Sequence, residues 1–515
     1  MGNILRLSIQ KDPLTLDPQR SGDEISSALI FHLFRGLTRF EADHKVTSDL
    51  AKSFHSFNND EKYIFHLGEH FWSDGSPITA HDFVYSWKRA LHPNFPLKAT
   101  NIFDYIKNAS KARKGLVSLD KVGIYARDDF TLEVDLEHSC PFFLELASFC
   151  VMFPVSSKVD PDKMTAVFSG PFQLQHWHAE QEILLTKNPI CSYSDSVHLD
   201  GIHFKVIFDA KKAFASFERD ELDWIGEPIS PLPSNYLPVL LREKKIKPIQ
   251  GLVGCWFNTS LFPFHNVHLR KAFALAIPRE LLLDRLLLPK TLSARRIFPS
   301  ILQGSEGIPV VQECQRAASA LFQAAQEELK MKRLKVILTY ETTDELSRLA
   351  VLLKGYWEEL FPISIKLEPL PFKEFWQRLP KQQFQMGLFC SISQYTDSIN
   401  FLERFEFGNT PRNFSGWEND KYQDILKRYR KTANYEKRLA LSKKAEAFLL
   451  KEMPVAPLYQ YQYTYLQKKH VRNLYFSPVG DIHFDRVYLE KRQFSVLQET
   501  DSLLEDATVF CAESC

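Results

Sequence analysis

The stretch Tyr63–Leu91, YIFHLGEHFWSDGSPITAHDFVYSWKRAL, carries in order the signals of a strand, a tight turn and a capped helix. Its opening letters, YIFHL, show the period of two that is typical of a strand. Ser73–Gly75 is a turn signal, because Asp bonds its own backbone and Gly accepts a positive φ. Thr79 is expected to cap a helix, with the Asp82 carboxylate near the free N–H groups of the first turn. The stretch therefore predicts a β-turn-α unit.

The predicted helix has one apolar face. Phe83, Val84, Trp87 and Leu91 follow at helical spacing, and Pro93 ends the element. The wording of residues 72–90, WSDGSPITAHDFVYSWKRA, resembles the signature of the extracytoplasmic solute-binding proteins of peptide ABC transporters, the oligopeptide/dipeptide-binding family.

Length and composition narrow the class of protein. The 515 residues suggest roughly three domains at about 150 residues each, and 44% hydrophobic with 25% charged residues is ordinary for globular proteins. Lys plus Arg (64) nearly cancels Asp plus Glu (63), so the net charge of +1 disfavours nucleic acid as a partner. The apolar runs fall short of the roughly 18–20 residues that span a bilayer. We expect a soluble protein.

The cysteine pattern gives no metal or redox motif. No two cysteines form a Cys-x-x-Cys pair, so buried free thiols are the expected state. Cys511 and Cys515, in an acidic tail, could pair with each other or with a partner chain. The eight cysteines are Cys140, Cys150, Cys191, Cys255, Cys314, Cys390, Cys511 and Cys515.

The second half of the chain alternates between helix and strand patterns. We predict helices over Gln315–Leu329 and Asp344–Leu360, and strands over Leu334–Tyr340 and Ser364–Leu370. This alternation favours βαβ units and an α/β fold. Helical periodicity also runs from Asn419 to Leu450, which predicts further helix there.

The family resemblance implies how the chain is divided. It is strong at residues 72–90, 257–277 and 384–402, and it implies an α/β, three-lobed periplasmic-binding-protein (flytrap) fold with mixed sheets and hinge strands. The lobes implied are lobe I (1–40, 168–255 and 476–495), lobe II (41–167), lobe III (256–475, closing on lobe I) and an acidic, mobile tail (496–515).

Catalytic signatures are missing from the sequence. It contains no Gly-x-Ser-x-Gly elbow, no His-Glu-x-x-His and no phosphate-binding glycine loop. His265 and His268 have ligand-like spacing, but they lie where the family has a structural loop entering a helix. His176 and His178 flank Trp177 on a predicted strand, and packing or surface roles are expected for them. We therefore expect no enzymatic activity, no cofactor and no metal site.

Ligand contacts are implied by the resemblance of Phe384–Leu402, FQMGLFCSISQYTDSINFL, to the family segment that lines the cleft. Tyr395 falls on the tyrosine of the family motif, whereas Gln394 replaces the aspartate that holds the α-ammonium group of the peptide. Leu388 and Leu346 replace an arginine and a histidine of the family. A neutral amide binds an ammonium group more weakly than a carboxylate does.

Two explanations of these replacements remain open. Either substitutes lie nearby, or the ligand is not a simple free-ended peptide, for example a modified or cell-wall peptide. Core packing, capping and solvent exposure are the alternatives to ligand contact for every candidate. The candidates are Asp23, Glu24 and Asp397 for an amine, Arg378 and Arg412 for a carboxylate, and Asn413, Trp417, Gln394 and Tyr395 as other contacts.

The resemblance implies a protein that binds an oligopeptide or peptide-like ligand and delivers it to an ABC permease in the inner membrane. A monomer, periplasmic or lipid-anchored to the cell envelope, is expected, although residues 1–18 show no export signal. The alternatives are a binder of a non-peptide solute, such as a chelated metal or haem, and a peptide hydrolase.

Overall fold

The computed structural model describes residues 2–490, except for residues 44, 98–99, 159, 164–165, 234–244, 287, 289–290 and 299–309. The predicted acidic tail and its two cysteines lie outside the described residues. The helices are α1 (Glu24–Leu33), α2 (Ala80–Ala90), α3 (Thr100–Phe103), α4 (Ala109–Arg113), α5 (Phe143–Ala147), α6 (Ala210–Glu218), α7 (Val267–Leu275), α8 (Arg279–Leu286), α9 (Gln315–Leu329), α10 (Asp344–Leu360), α11 (Phe372–Arg378), α12 (Ile399–Leu402), α13 (Asp420–Arg430) and α14 (Tyr435–Glu452).

The strands alternate with these helices along the chain. They are β1 (Ile4–Ile9), β2 (Thr38–Phe40), β3 (Val46–Ser48), β4 (Ala51–Phe57), β5 (Lys62–Leu67), β6 (Ile124–Asp128), β7 (Thr131–Asp135), β8 (Phe172–His178), β9 (Glu182–Lys187), β10 (Gly201–Val206), β11 (Trp224–Gly226), β12 (Lys245–Phe257), β13 (Leu334–Glu341), β14 (Ile363–Leu370), β15 (Met386–Ile392), β16 (Val455–Gln467), β17 (Val471–Arg472), β18 (Tyr475–Phe476), β19 (Ile482–His483) and β20 (Tyr488–Leu489).

A mixed sheet of ten strands organises the molecule, in the order β14-β13-β15-β12-β16-β11-β1-β10-β9-β8. We call β8, β9, β10, β1 and β11 its amino-terminal half and β14, β13 and β15 its carboxy-terminal half. Parallel pairs occur in both halves, β1 with β10 and β13 with β14. The mixed α/β fold predicted from the alternating pattern is confirmed.

Two long strands join the halves. β12 and β16 have 13 residues each, and they pair with one another in antiparallel fashion. β12 also pairs with β15 on one side, and β16 pairs with β11 on the other. The two halves are therefore connected through this pair of strands, at the centre of the sheet.

The stretch Tyr63–Leu91 builds a smaller sheet, β4-β5-β7-β6, and the helix beside it. The predicted capping box is present: the backbone N–H of Thr79 donates to Asp82 Oδ2 at 2.8 Å. Phe83 and Trp87 are fully buried. Local signals were sufficient here because turn, cap and apolar face all lie within a few residues of one another.

Most of the predicted elements are confirmed. The helices predicted over Gln315–Leu329 and Asp344–Leu360 have these bounds in the structure. The helical pattern from Asn419 to Leu450 is confirmed as well, and it forms two helices, α13 and α14. The Asn434 side chain accepts a hydrogen bond from the Lys437 N–H at 3.0 Å, so it caps a new helix start. None of the helices among the described residues is long and apolar enough to span a bilayer.

Candidate functional site

Glu24 is the first residue of α1, directly after the capping residue Asp23. Asp23 caps α1, with Oδ1 accepting from the Ser26 N–H at 2.9 Å, and this leaves the neighbouring Glu24 side chain free of the cap. Glu24 is exposed to water, yet desolvation raises the pKa of its carboxyl to about 7, with a further increase from the Asp23 charge.

Glu227 follows β11 and lies against the connecting strand β16. Its Oε2 accepts from the Thr464 N–H at 2.9 Å, and its Oε1 accepts from the Tyr461 hydroxyl at 3.1 Å. Gly226 has φ +152°, and a Cβ there would lie 2.3 Å from the Tyr465 Cβ, so this position accommodates only glycine. Burial raises the pKa of Glu227 to about 8, and the negative charges of Glu345 and Glu24 contribute to this rise.

Glu345 approaches from the carboxy-terminal half, in the first turn of α10. The hydroxyl of Tyr459, on β16, donates to Glu345 Oε1 at 2.5 Å. Burial raises the pKa of the Tyr459 hydroxyl, and the Glu345 charge adds to this rise. Glu345 and Glu227 thus come from different halves of the sheet, and each accepts a hydrogen bond from a tyrosine of β16.

Cys390, on β15, lies among these three carboxyl groups. Burial raises the pKa of its thiol well above the ordinary value, and the negative charges of Glu24, Glu345 and Glu227 raise it further. A single thiol influenced by all three charges shows that the carboxyl groups converge. We call Glu24, Glu227, Glu345 and Cys390 the acidic cleft.

Two basic side chains lie close to the acidic cleft. Lys11 lowers the pKa of Glu24, and its Nζ lies 4.4 Å from the ring centroid of Phe372. Arg404 directs its guanidinium to the backbone, donating to Ile392 O at 2.8 Å. Burial lowers the pKa of Arg404 to about 9. Three carboxyl groups therefore face these two cations, and the cleft suits a ligand that carries positive charge.

Gln394 and Tyr395 follow β15 and contact Asn101 and Tyr105. The Asn101 side chain donates to Gln394 Oε1 at 2.9 Å. Tyr395 is fully buried, and its hydroxyl lies 2.8 Å from that of Tyr105 and 3.2 Å from Glu403 Oε1. Both predicted residues thus hold neighbouring parts of the protein together, and their contact with a ligand stays a prediction.

Asp397 and Arg412 also have partners within the protein. Asp397 accepts from the Tyr429 hydroxyl and, at 3.0 Å, from the N–H of Ile399, the first residue of α12. Arg412 donates to Glu403 Oε1 at 2.8 Å. Their roles in binding an amine or a carboxylate stay predictions.

Asn413, Trp417 and Arg378 are placed by local packing. Asn413 is buried and donates to Trp417 O at 2.7 Å, while the Trp417 ring packs on Tyr422 at 5.2 Å between centroids. Arg378 pairs with Glu374 at 2.5 Å. Glu24 is therefore the sequence-predicted residue that lies in the acidic cleft.

Glu227 and Glu345 were missed by sequence reasoning. Each is a single carboxylate in an ordinary context, and no local motif marks either one. Only the pairing of β11 and β12 with β16 brings them to one place. Two sheet halves joined by two long strands are the architecture of a solute-binding protein of the flytrap type.

Comparison with known proteins identifies the family. Residues 45–413 match the family described as bacterial extracellular solute-binding proteins, family 5. The chain is 30% identical to the oligopeptide-binding protein OppA of Bacillus subtilis over 94% of this chain and 92% of that protein. It is 28% identical to the dipeptide-binding protein DppE of the same organism, over 93% and 90% of the two chains.

Solved structures agree with this result. A periplasmic oligopeptide-binding protein of Borrelia burgdorferi, OppAIV, superimposes with a TM-score of 0.85 at 25% identity, over 94% of this chain and 99% of that one. The chain belongs to the bacterial extracellular solute-binding proteins of family 5, within the peptide ABC transporter group. Members of this family bind solutes and are not enzymes.

Proposed function

We propose that this protein captures a peptide or peptide-like ligand in the acidic cleft and delivers it to an ABC permease for uptake. The relatives named as oligopeptide- and dipeptide-binding proteins support a peptide ligand. Lobes I, II and III, with the boundaries predicted from the sequence, move as units, and lobe III closes on lobe I about β12 and β16. The ligand stabilises the closed form by contacts that it makes to both lobes at once.

The ligand carries positive charge. The observation that carries this conclusion is the convergence of Glu24, Glu227 and Glu345 from separate elements, with the pKa of Glu24 raised to about 7 and that of Glu227 to about 8. Carboxylates in this state are unfavourable alone, because they are partly desolvated and repel one another. An ammonium or guanidinium group between them removes both penalties and forms charge-assisted hydrogen bonds.

Three tripeptides that differ at one position test this function. Ala-Lys-Ala, Ala-Met-Ala and Ala-Glu-Ala have similar length, and titration calorimetry measures the affinity of each. We expect the lysine peptide to bind roughly tenfold more tightly than the methionine peptide, since a charge-assisted hydrogen bond contributes about 1.5–3 kcal/mol and the methionine side chain has no donor. The glutamate peptide should bind most weakly. Equal affinities, or preference for glutamate, would contradict the proposed charge of the ligand.

Co-purified ligand gives an independent check of the peptide class. Denaturing the purified protein and analysing released small molecules by mass spectrometry should show peptides or peptide derivatives rich in amino or guanidino groups. Release of a haem or a chelated metal alone would contradict a peptide ligand.

The substitution Gln394→Asp tests whether this position faces the amino terminus of the ligand. Gln394 Oε1 now accepts one neutral hydrogen bond from Asn101, and a carboxylate would add charge at this place. If the terminus binds here, the affinity for a peptide with a free amine should rise several-fold, whereas the affinity for its N-acetylated form should stay the same. Unchanged affinity for both peptides would place the amine elsewhere, with the acidic cleft as the next position to vary.

A further inference from the structure

A cluster of three histidines and one glutamate lies on the outer strands of the amino-terminal half, apart from the ligand cleft. His176 and His178 belong to the edge strand β8, Glu182 to β9 and His203 to β10. His178 stands opposite Glu182, and both His176 and His203 stand opposite Leu184. Because residues opposite each other share a face of the sheet, all four side chains project from one face.

A β-bulge creates this arrangement. The pairing of β8 with β9 shifts between Leu174 and His176. Without the extra residue, His176 would stand opposite the fully buried Ile183, on the core face. With it, Trp177 takes the position opposite Ile183, and the histidines on both sides of Trp177 point away from the core together.

The distances suit a single metal ion. Glu182 Oε1 lies 3.2 Å from His176 Nε2 and 3.7 Å from His178 Nδ1. In a tetrahedral zinc site with bonds of about 2.0–2.1 Å, neighbouring ligand atoms are about 3.3 Å apart. The potential ligand atoms of His176, His178 and Glu182 all lie within 4.8 Å of one another. Small side-chain rotations would therefore complete the coordination geometry.

His203 supports the carboxylate from the other side. Its Nε2 donates to Glu182 Oε2 at 2.7 Å. Oε1 of Glu182 thus faces His176 and His178, while Oε2 accepts a hydrogen bond from His203. Metal-binding carboxylates commonly have such an outer hydrogen-bond partner, which fixes the orientation of the ligand.

The choice of ion follows from the donor set. Two imidazole nitrogens and one carboxylate oxygen favour zinc, nickel or copper, whereas calcium and magnesium require oxygen ligands. Lys205, on β10, stands opposite Glu182. Its positive charge repels cations, so it further disfavours an ion that is held only by electrostatic attraction. The side chains of His176 and His178 are 30% and 58% exposed, so a water molecule can reach the fourth position.

We propose that His176, His178 and Glu182 bind one Zn²⁺ ion, with His203 as the positioning residue for the Glu182 carboxylate. The ion would connect the edge strand to its neighbour across the bulge. This site is separate from the ligand cleft and does not depend on the proposed function.

Calorimetry with Zn²⁺ on the full chain, prepared without a histidine tag and freed of metal with a chelator, tests the proposal. We expect one equivalent of Zn²⁺ to bind, with no binding of Ca²⁺ or Mg²⁺. His178→Ala should weaken Zn²⁺ binding at least tenfold, and His203→Ala should weaken it about 10- to 100-fold through the carboxylate. Because these side chains lie at the surface, both variants should fold normally and give the same circular dichroism spectrum as the unmodified chain.

The matched control is His268→Ala, which removes an exposed histidine paired with one carboxylate, Glu328 Oε1 at 3.0 Å. This variant should bind Zn²⁺ like the unmodified chain. Co²⁺ bound in place of Zn²⁺ should give visible absorption typical of a tetrahedral site, and His178→Ala should remove it. Absence of Zn²⁺ binding, or equal binding by the His178→Ala variant, would overturn the site.

Discussion

Replacing Asp485 by alanine should lower the free energy of unfolding by about 3–5 kcal/mol, because it leaves buried arginine charges without their partner. Asp485 is 4% exposed, and its Oδ2 accepts from Arg35 at 2.7 Å and from Arg39 at 3.0 Å. Arg35 is also buried, and Asp49, at 3.6 Å, is its second acidic partner. This cluster connects the carboxy-terminal segment to the amino-terminal half.

The stabilisation by Asp485 depends on pH, and its sign follows from the pKa of the carboxyl. Burial alone would raise the pKa of Asp485, but the charges of Arg35 and Arg39 outweigh burial and hold it well below the ordinary value. A carboxyl whose pKa is lower in the folded state stabilises the protein above its unfolded pKa of about 3.9. That stability is lost as the pH falls through the folded-state pKa. The unmodified chain should therefore lose more stability on acidification than the Asp485→Ala variant.

Urea denaturation at neutral pH measures the change in the free energy of unfolding. Asp43→Ala is the matched control, since Asp43 pairs with Lys45 at 2.9 Å on the surface, with both side chains more than half exposed. This control should leave the denaturation midpoint unchanged, because exposed ion pairs contribute little. Equal midpoints for Asp485→Ala and Asp43→Ala would show that the buried cluster does not stabilise the fold.

The double substitution Glu24→Gln with Glu227→Gln should weaken binding of a lysine-containing peptide about 10- to 100-fold. Each change replaces a charge-assisted hydrogen bond by a neutral one, at a cost of about 0.5–2 kcal/mol, and 1.4 kcal/mol corresponds to tenfold. The affinity for a methionine-containing peptide of the same length should change little. Competition calorimetry with both peptides measures the two effects on one preparation.

The same variant should change how stability depends on pH. The pKa values of Glu24 and Glu227, about 7 and about 8, lie above the unfolded value of about 4.3. Their contribution to stability is therefore fully present below pH 4 and is lost as the pH rises through 7 and 8. The groups that also act on these pKa values are Asp23, Glu341, Lys11, Glu345, Tyr461 and Thr464. Without ligand, the double variant should lose less stability between pH 5 and 8 than the unmodified chain.

Cationic ligands should show the opposite trend in binding. Ionised carboxylates hold an ammonium group more strongly, so the affinity of the unmodified chain should rise from pH 6 to pH 8, and this rise should be smaller in the double variant. The control double variant, Glu359→Gln with Glu436→Gln, removes the same number of charges from exposed positions. If that control weakens binding as much as the cleft variant does, net charge rather than the cleft would account for the selectivity.

Local signals were enough to predict many elements correctly. Thr79 and Asp82 form the predicted cap, and the helix over Gln315–Leu329 has its predicted bounds. The helical pattern from Asn419 to Leu450 did not show where one helix ends and the next begins, and at Asn434 a side-chain cap starts the second helix. Caps and turns involve residues only a few positions apart, so the amino-acid order already contains the interacting groups.

The sequence by itself therefore determined the alternating α/β elements, their caps and, through its motifs, the family. Only the tertiary structure decided which charges meet. Glu227 and Glu345 accept hydrogen bonds from two tyrosines of β16, a strand that pairs with both β11 and β12. The face proposed to bind zinc likewise depends on one bulge that shifts the register of β8. Strand pairing and register arise from contacts between residues far apart in the chain, and a one-residue shift moves every side chain to the other face.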